Sequence, residues 1–324
     1  MKCINNRLFI AILICSLVFL PGCGNNSIRI PYDASSSIRA YSFDSYHAEN
    51  YIAPFASNLC IAGDDINIDG ADMSESMYVG LFNITNNETL YLKNANKKLS
   101  PASLTKIMTA YLALKYGHSD DILTASENVT KLESGAQVCG FKVGDQLTLD
   151  QVLYGLLLYS GNDAGVMIAE YISGSVDDFA NLMNKEAVML GATNTHFTNP
   201  HGLSDENHYT TAYDLYLMFN AALKYDKFRE IINTPEYKST YVDKDGNSQS
   251  IKFSSTNYYT ADAIKSPKNV TIYGGKTGST KAAGNCLILL STNSTGESFI
   301  SVVMNTKDRE TLYSQMNNLL SLIP

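Results

Sequence analysis

An α/β protein of the α+β kind, with one antiparallel sheet assembled by the two ends of the chain around a helical middle, is the fold this sequence predicts. Three observations carry that expectation. Strand-like segments bounded by polar turns occur early and again late, helix caps and 3.6-residue periodicity fill the stretch between, and no internal repeat is visible. The 324 residues, 45% of them hydrophobic, can bury one large core or two modest ones sharing a cleft.

The first residues read as an export signal. Lys2 and Arg7 form a short positive region, and Leu8 to Leu20 an apolar run too short to span a bilayer comfortably. The run ends in Leu20-Pro21-Gly22-Cys23, which resembles the lipobox of bacterial lipoproteins, although Pro21 is atypical for it. That resemblance implies lipidation at Cys23 and attachment to a membrane through the lipid. Removing residues 1–22 takes away two cations and no acid, so the formal charge moves from -8 to -10. With no basic stripe and no aromatic-basic interleaving, nucleic acid is not an expected partner. Residues 23–74, rich in Ser, Asn, Asp and Tyr, then read as the lipidated N-terminus and a tether.

The folded domain is expected over 75–324. A strand pair opens it, Met77 to Ile84 and Thr89 to Lys93, around the turn Asn86-Asn87-Glu88. A helix should begin at Ser100 as N-cap, with Pro101 at the first helical position, apolar Leu104, Met108 and Tyr111 following, and Gly117 as its stop. Thr148-Leu149-Asp150-Gln151 is a capping box, and the apolar run Val152 to Leu158 after it should be buried. Helical patterns recur at Ala164 to Tyr171, Asp178 to Leu190 and Ala212 to Tyr225. Strands return at Tyr237 to Val242 and Gln249 to Ser254 around an Asp245-Gly246 turn, then at Val270 to Tyr273, Cys286 to Ser291 and Ser298 to Met304. An amphipathic stretch, Arg309 to Leu322, closes the chain.

Three short elements carry chemistry. A serine three residues before a lysine on a helix puts both side chains on one face, so the amine can take the hydroxyl proton if burial or neighbouring positive charge lowers its pKa. Ser103-Leu104-Thr105-Lys106 has this spacing, although about one such match is expected by chance in a chain of this size. Ser160-Gly161-Asn162 follows the apolar run, where polar side chains can face a cleft; Ser255-Thr256-Asn257 and Ser291-Thr292-Asn293 match the same bare pattern. Lys276-Thr277-Gly278, preceded by Gly274-Gly275, occurs once, at the edge of an expected strand.

In this order the three are the Ser-x-x-Lys, Ser-x-Asn and Lys-Thr-Gly set of penicillin-interacting serine enzymes. The surrounding residues, Ser100 to Ala110, Ser160 to Ala164 and Asn199-Pro200-His201-Gly202-Leu203, closely resemble low-molecular-weight D-alanyl-D-alanine carboxypeptidases over roughly residues 75 to 320. The resemblance implies a β-lactamase/transpeptidase-like fold: an antiparallel five-stranded sheet flanked by helices, with a helical subdomain inserted at about 118–235. It implies Ser103 as nucleophile, Lys106 as general base, and Ser160 with Lys276 as a proton relay to the leaving amine. Asn162 would hold the substrate amide, Thr277 the terminal carboxylate, and the backbone N-H groups of Ser103 and Ser279, the residue after Gly278, the oxyanion. Peptidoglycan stem peptides and β-lactam antibiotics are the implied partners; no cofactor and no metal are implied.

Other features have plainer readings. His196, His201 and His208 match no zinc spacing and read as structure. Cys60, Cys139 and Cys286, an odd set, give no disulfide framework and no metal-ligand spacing. Arg309 either reaches the substrate carboxylate or opens a solvated helix. A class A β-lactamase would use the same three elements but needs a deacylating Glu, and no Glu-x-x-Leu-Asn stretch lies between Ser160 and Lys276. A further alternative is a non-catalytic sensor or wall-binding module; the intact motif residues argue against a degenerate binder, whereas a penicillin-acylated sensor would keep every one of them.

Overall fold

A computed structural model of the chain describes residue 56, residues 58–67 and residues 70–324. The expected export signal, the lipobox-like run ending in Cys23 and most of the expected tether lie outside the described residues.

Two strands open the main sheet, β1 (Tyr78–Asn83) and β2 (Glu88–Lys93). Their turn is set by Asn83, whose Oδ1 accepts from the backbone N-H of Thr85 and of Asn86, both at 3.1 Å. A second sheet holds β3 (Ile122–Thr124), β4 (Gln146–Thr148), β5 (Glu236–Val242) and β6 (Ser248–Ser254), in the order β3-β4-β5-β6. The main sheet is completed by β7 (Val270–Thr280), β8 (Gly284–Asn293) and β9 (Ser298–Thr306), antiparallel throughout in the order β2-β1-β9-β8-β7. The five-stranded antiparallel sheet and the α/β class are as expected. The single sheet is not: the 236–254 hairpin pairs with β4 instead of joining the strands from the two ends. β3 and β4, at three residues each, are too short to show a period, so their pairing role left no mark in the sequence.

Seven helices are described: α1 (Lys106–Tyr116), α2 (Leu149–Tyr154), α3 (Asn162–Ser173), α4 (Val176–Met189), α5 (Ala212–Ala222), α6 (Asp226–Asn233) and α7 (Arg309–Leu320). Both halves of the Thr148/Gln151 capping box are present, and Ser175, Thr211 and Asp308 cap α4, α5 and α7 by accepting N-H bonds. The expected helix Ala212 to Tyr225 stops at Ala222, and α6, with Phe228, Ile231 and Ile232 turned inward, went unread in the sequence.

The main sheet is covered on both faces. Leu81, Leu287, Leu289, Phe299 and Val303 pack with Leu312, Met316 and Leu319 of α7. Phe82, Leu92, Ile288, Ile300 and Val302 pack on the other side with the helical core, where Phe82 stacks on Tyr216 of α5 at 4.2 Å between ring centres. Double coverage explains why β8 and β9 read as apolar runs with little alternation. Residues 58–74, assigned by composition to the tether, are partly docked on this body. Ile66 pairs with Leu92 across backbone hydrogen bonds of 3.0 Å, Cys60 N donates to Tyr216 OH at 2.8 Å, and Cys60 and Met73 are buried. Three scattered apolar residues in a polar stretch suffice for this and set no period.

Candidate active site

Ser103 sits on a 3-10 turn, Ala102–Thr105, that leads into α1. The expected cap at Ser100 is absent: its Oγ is buried without a partner, and regular helix begins only at Lys106. What breaks the helix is Ala102, held at φ +48°. Gly202, at φ +88°, lies against that residue so closely that a Cβ there would stand 1.9 Å from the Ala102 carbonyl oxygen. Thr105 adds a tie. Its Oγ1 donates to the Ala102 carbonyl at 2.8 Å and lies 2.8 Å from His208 Nε2. His208 Nδ1 accepts from Thr198 N-H at 3.0 Å, which leaves the proton on Nε2 to meet Thr105. Burial brings the His208 pKa down to about 4, so the ring is neutral. Among the described residues no group of three or more His, Cys, Asp or Glu could hold a metal ion.

Lys106 is fully buried. Its Nζ donates to Ser103 Oγ at 2.9 Å, Asn162 Oδ1 at 2.7 Å and the His201 carbonyl at 2.6 Å. Burial first, and the charge of Lys276 second, hold its pKa well below the ordinary lysine value, against opposing contributions from Cys139 and Asp163. As an ammonium it donates to all three; a neutral amine has two N-H bonds and one lone pair. Asn162 Oδ1 and the His201 carbonyl can only accept, whereas Ser103 can also donate, so when the amine gives up a proton it is the contact to Ser103 that reverses, the lone pair turning to the Ser103 hydroxyl.

Ser160 follows a π-helical turn, Gly155–Tyr159, and is itself left-handed at φ +66°. Lys276 Nζ donates to Ser160 Oγ and to the Thr277 carbonyl, both at 3.0 Å. With 1% exposure, Lys276 is desolvated enough to bring its pKa to about 7. Lys276-Thr277-Gly278 lies inside β7, which runs well past the strand expected at Val270 to Tyr273 and is an edge strand of the main sheet. A Cβ at Gly278 would stand 3.1 Å from Ser103 N, so the glycine lets β7 draw up to the serine turn. All three sequence elements thus meet at one cleft of about 300 Å³, lined by Ser103, Ser160, Thr277, Gly278, Ser279 and Arg309 among others.

Several residues of this place escaped the sequence reading. Gln137, Tyr159, Thr256 and Asn285 also line the cleft. Asp163, next to Asn162 and almost fully buried, accepts backbone N-H bonds from Cys139 (2.8 Å), Gly140 (2.8 Å) and Phe141 (3.3 Å), fastening the 137–141 loop beside Ser160. A carboxylate directly after the Ser-x-Asn element was the one available signal. Thr256 belongs to a Ser-x-Asn look-alike, and Tyr159, Gln137 and Asn285 stand in no pattern.

The sequence model of the D-alanyl-D-alanine carboxypeptidase family matches residues 71–308. This chain belongs to that family. Among curated relatives, the D-alanyl-D-alanine carboxypeptidase DacF of Bacillus subtilis (strain 168) is 41% identical over 153 residues, 46% of this chain and 39% of the relative. The D-alanyl-D-alanine carboxypeptidase DacC of Escherichia coli (strain K12) is 31% identical over 237 residues, 70% of this chain and 56% of the relative. The chain therefore spans between about four and six tenths of the length of these two relatives. A crystal structure of the Streptomyces K15 DD-transpeptidase superposes with a TM-score of 0.71 at 27% identity, covering 80% of this chain and 98% of that one.

Proposed function

We propose that this protein is a serine-type D-alanyl-D-alanine carboxypeptidase, removing the terminal D-alanine of peptidoglycan stem peptides through an acyl-enzyme on Ser103. The observation that carries the reading is the surrounding of Lys106 Nζ: a fully buried amine with two pure acceptors and the Ser103 hydroxyl around it. Lys106 takes the Ser103 proton as Oγ attacks the carbonyl between the two D-alanines. The oxyanion that develops is met by the backbone N-H groups of Ser103 and Ser279. As the C–N bond breaks, Ser160 and Lys276 pass a proton to the departing amine, while Asn162 holds the substrate amide. Thr277, with the positive charge of Lys276 and Arg309 at the cleft wall, receives the terminal carboxylate. Water then releases the shortened peptide, and β-lactam antibiotics acylate the same serine. Work on stem peptides takes place outside the cytoplasm, in keeping with the export signal; lipidation at Cys23 would hold the protein at the membrane. Among the described residues no helix is long and apolar enough to cross a membrane.

The test is to incubate residues 24–324, and the same protein with Ser103→Ala, with a fluorescent penicillin and then chase with unlabelled drug. A label stable for many minutes, and absent from the alanine variant, is the expected result. Hydrolysis of the drug without accumulated label would indicate a β-lactamase. No reaction at all would leave a binding module.

A further inference from the structure

The hydroxyls of Thr256 and Thr277 lie 2.6 Å apart on the cleft wall. They come from different elements. Thr277 belongs to β7, whereas Thr256 follows β6, and its backbone N-H donates at 3.2 Å to the Leu158 carbonyl on the π-helical turn that leads into Ser160. Each hydroxyl has a single proton, and only one of the two can lie in so short a gap. If Thr277 donates to an anion in the cleft, its oxygen is left to accept from Thr256. A hydroxyl that accepts one hydrogen bond is also polarised into a stronger donor for the next. The same short segment supports the cationic side of the cleft: Tyr258, two residues on, accepts from Arg309 Nη1 at 3.0 Å and lies beneath the guanidinium at 5.4 Å from ring centre to Cζ.

We propose that Thr256 is a positioning residue for carboxylate-ended peptides: its hydroxyl donates to Thr277 Oγ1 and thereby turns the Thr277 proton toward the substrate carboxylate. The inference rests on the D,D-peptidase reading and on Thr277 as a carboxylate contact. Thr256 itself need not touch the substrate. Its contribution is directional, and it acts alike before and during the reaction, since the carboxylate is bound in both states.

The experiment uses the full chain with two probes, a peptide ending in D-Ala-D-Ala and its C-terminal amide. Thr256→Val should raise KM for the acid peptide by about tenfold with kcat nearly unchanged, the size expected for one orienting hydrogen bond to a charge-binding hydroxyl. The amide peptide should lose little. Thr256→Ser should restore the wild-type KM, and Thr256→Val should add nothing in a Thr277→Val background, because the two act as one unit. Thr256→Ala is run alongside and read the same way, in case valine is poorly accommodated. Equal losses for acid and amide, a fall in kcat at constant KM, failure of the serine variant to restore KM, or an undiminished effect in the Thr277→Val background would each overturn the proposal. A folded wild-type protein that turns over neither peptide would sink the D,D-peptidase reading itself.

Discussion

Replacing Gly202 by alanine puts a Cβ 1.9 Å from the Ala102 carbonyl oxygen, 2.4 Å from its carbon and 2.8 Å from Thr105 Oγ1, at a backbone φ of +88°. Real Cβ contacts essentially never fall under 3.0 Å, so the gap must open by about an ångström, and neither side is a flexible side chain. One side is the backbone of Ala102, the residue before Ser103; the other is the loop whose His201 carbonyl accepts from Lys106. Whichever moves, Ser103 and Lys106 lose their alignment, and, on the proposed mechanism, a displacement near 1 Å costs roughly 100-fold in rate. The left-handed conformation adds a strain of about 1–3 kcal/mol to stability. Gly246→Ala separates the two effects, because Gly246 has a similar φ of +83° with nothing within 4 Å of its added Cβ. The assay is the rate of acylation by a fluorescent penicillin, with thermal melting of each variant. Gly202→Ala is expected to acylate about 100-fold more slowly, and Gly246→Ala at the wild-type rate with a modestly lower melting temperature. Acylation of folded Gly202→Ala within threefold of wild type would refute the claim that this contact fixes the serine turn.

Three further outcomes are expected. Lys276 is neutral in the folded protein above about pH 7 but charged in the unfolded chain up to its ordinary value of 10.5, so KM for a carboxylate-ended peptide should rise above pH 7 while stability rises between pH 7 and 10.5; steady-state kinetics and melting curves across pH check both. His208, at about pH 4 folded against 6.5 unfolded, takes up its proton only on unfolding in that interval, so the protein should lose stability as pH falls from 6.5 to 4, and His208→Gln should flatten the slope seen in urea titrations. Asp163→Asn keeps the shape but removes the charge that gathers three loop N-H groups; the enclosed Cys139 thiol, whose pKa burial and then Asp163 push up, should react faster with a thiol reagent, and an unchanged rate would show that the loop stays fastened without it.

The three motifs that meet at the cleft were legible because each is a short run of unusual residues whose chemistry depends on spacing. Ser103 and Lys106 needed only helical periodicity to share a face, and a 3-10 turn in place of the expected first helical turn still brings them to 2.9 Å. Residues that act through long-range geometry were not legible. Thr256 and Asn285 reach the cleft only because β7 lies beside them in space, and no local pattern encodes that. Gly202 was noticed as part of a resemblance, yet its contact with Ala102 spans 100 positions and has no counterpart in sequence periodicity. The second sheet was hidden for a related reason: β5 and β6 alternate as a hairpin with one covered face should, but alternation does not say which strand a hairpin will join.

The pairing of β1 with β9 has a kinetic meaning. Within the sheet, residues 78–83 pair only with their hairpin partner until residues 298–306 arrive, and β7, which brings Lys276 to Ser160, is held in the sheet through β8 and β9. Contacts joining such distant parts of a chain form late, because loop closure must precede them. A chain with its last strand unpaired would contain every residue of the site and still lack the contact of Lys276 with Ser160. On the proposed function, acylation by a penicillin becomes a sensor of completed folding: the fraction of molecules that take the label at saturating drug would measure how many have closed the sheet.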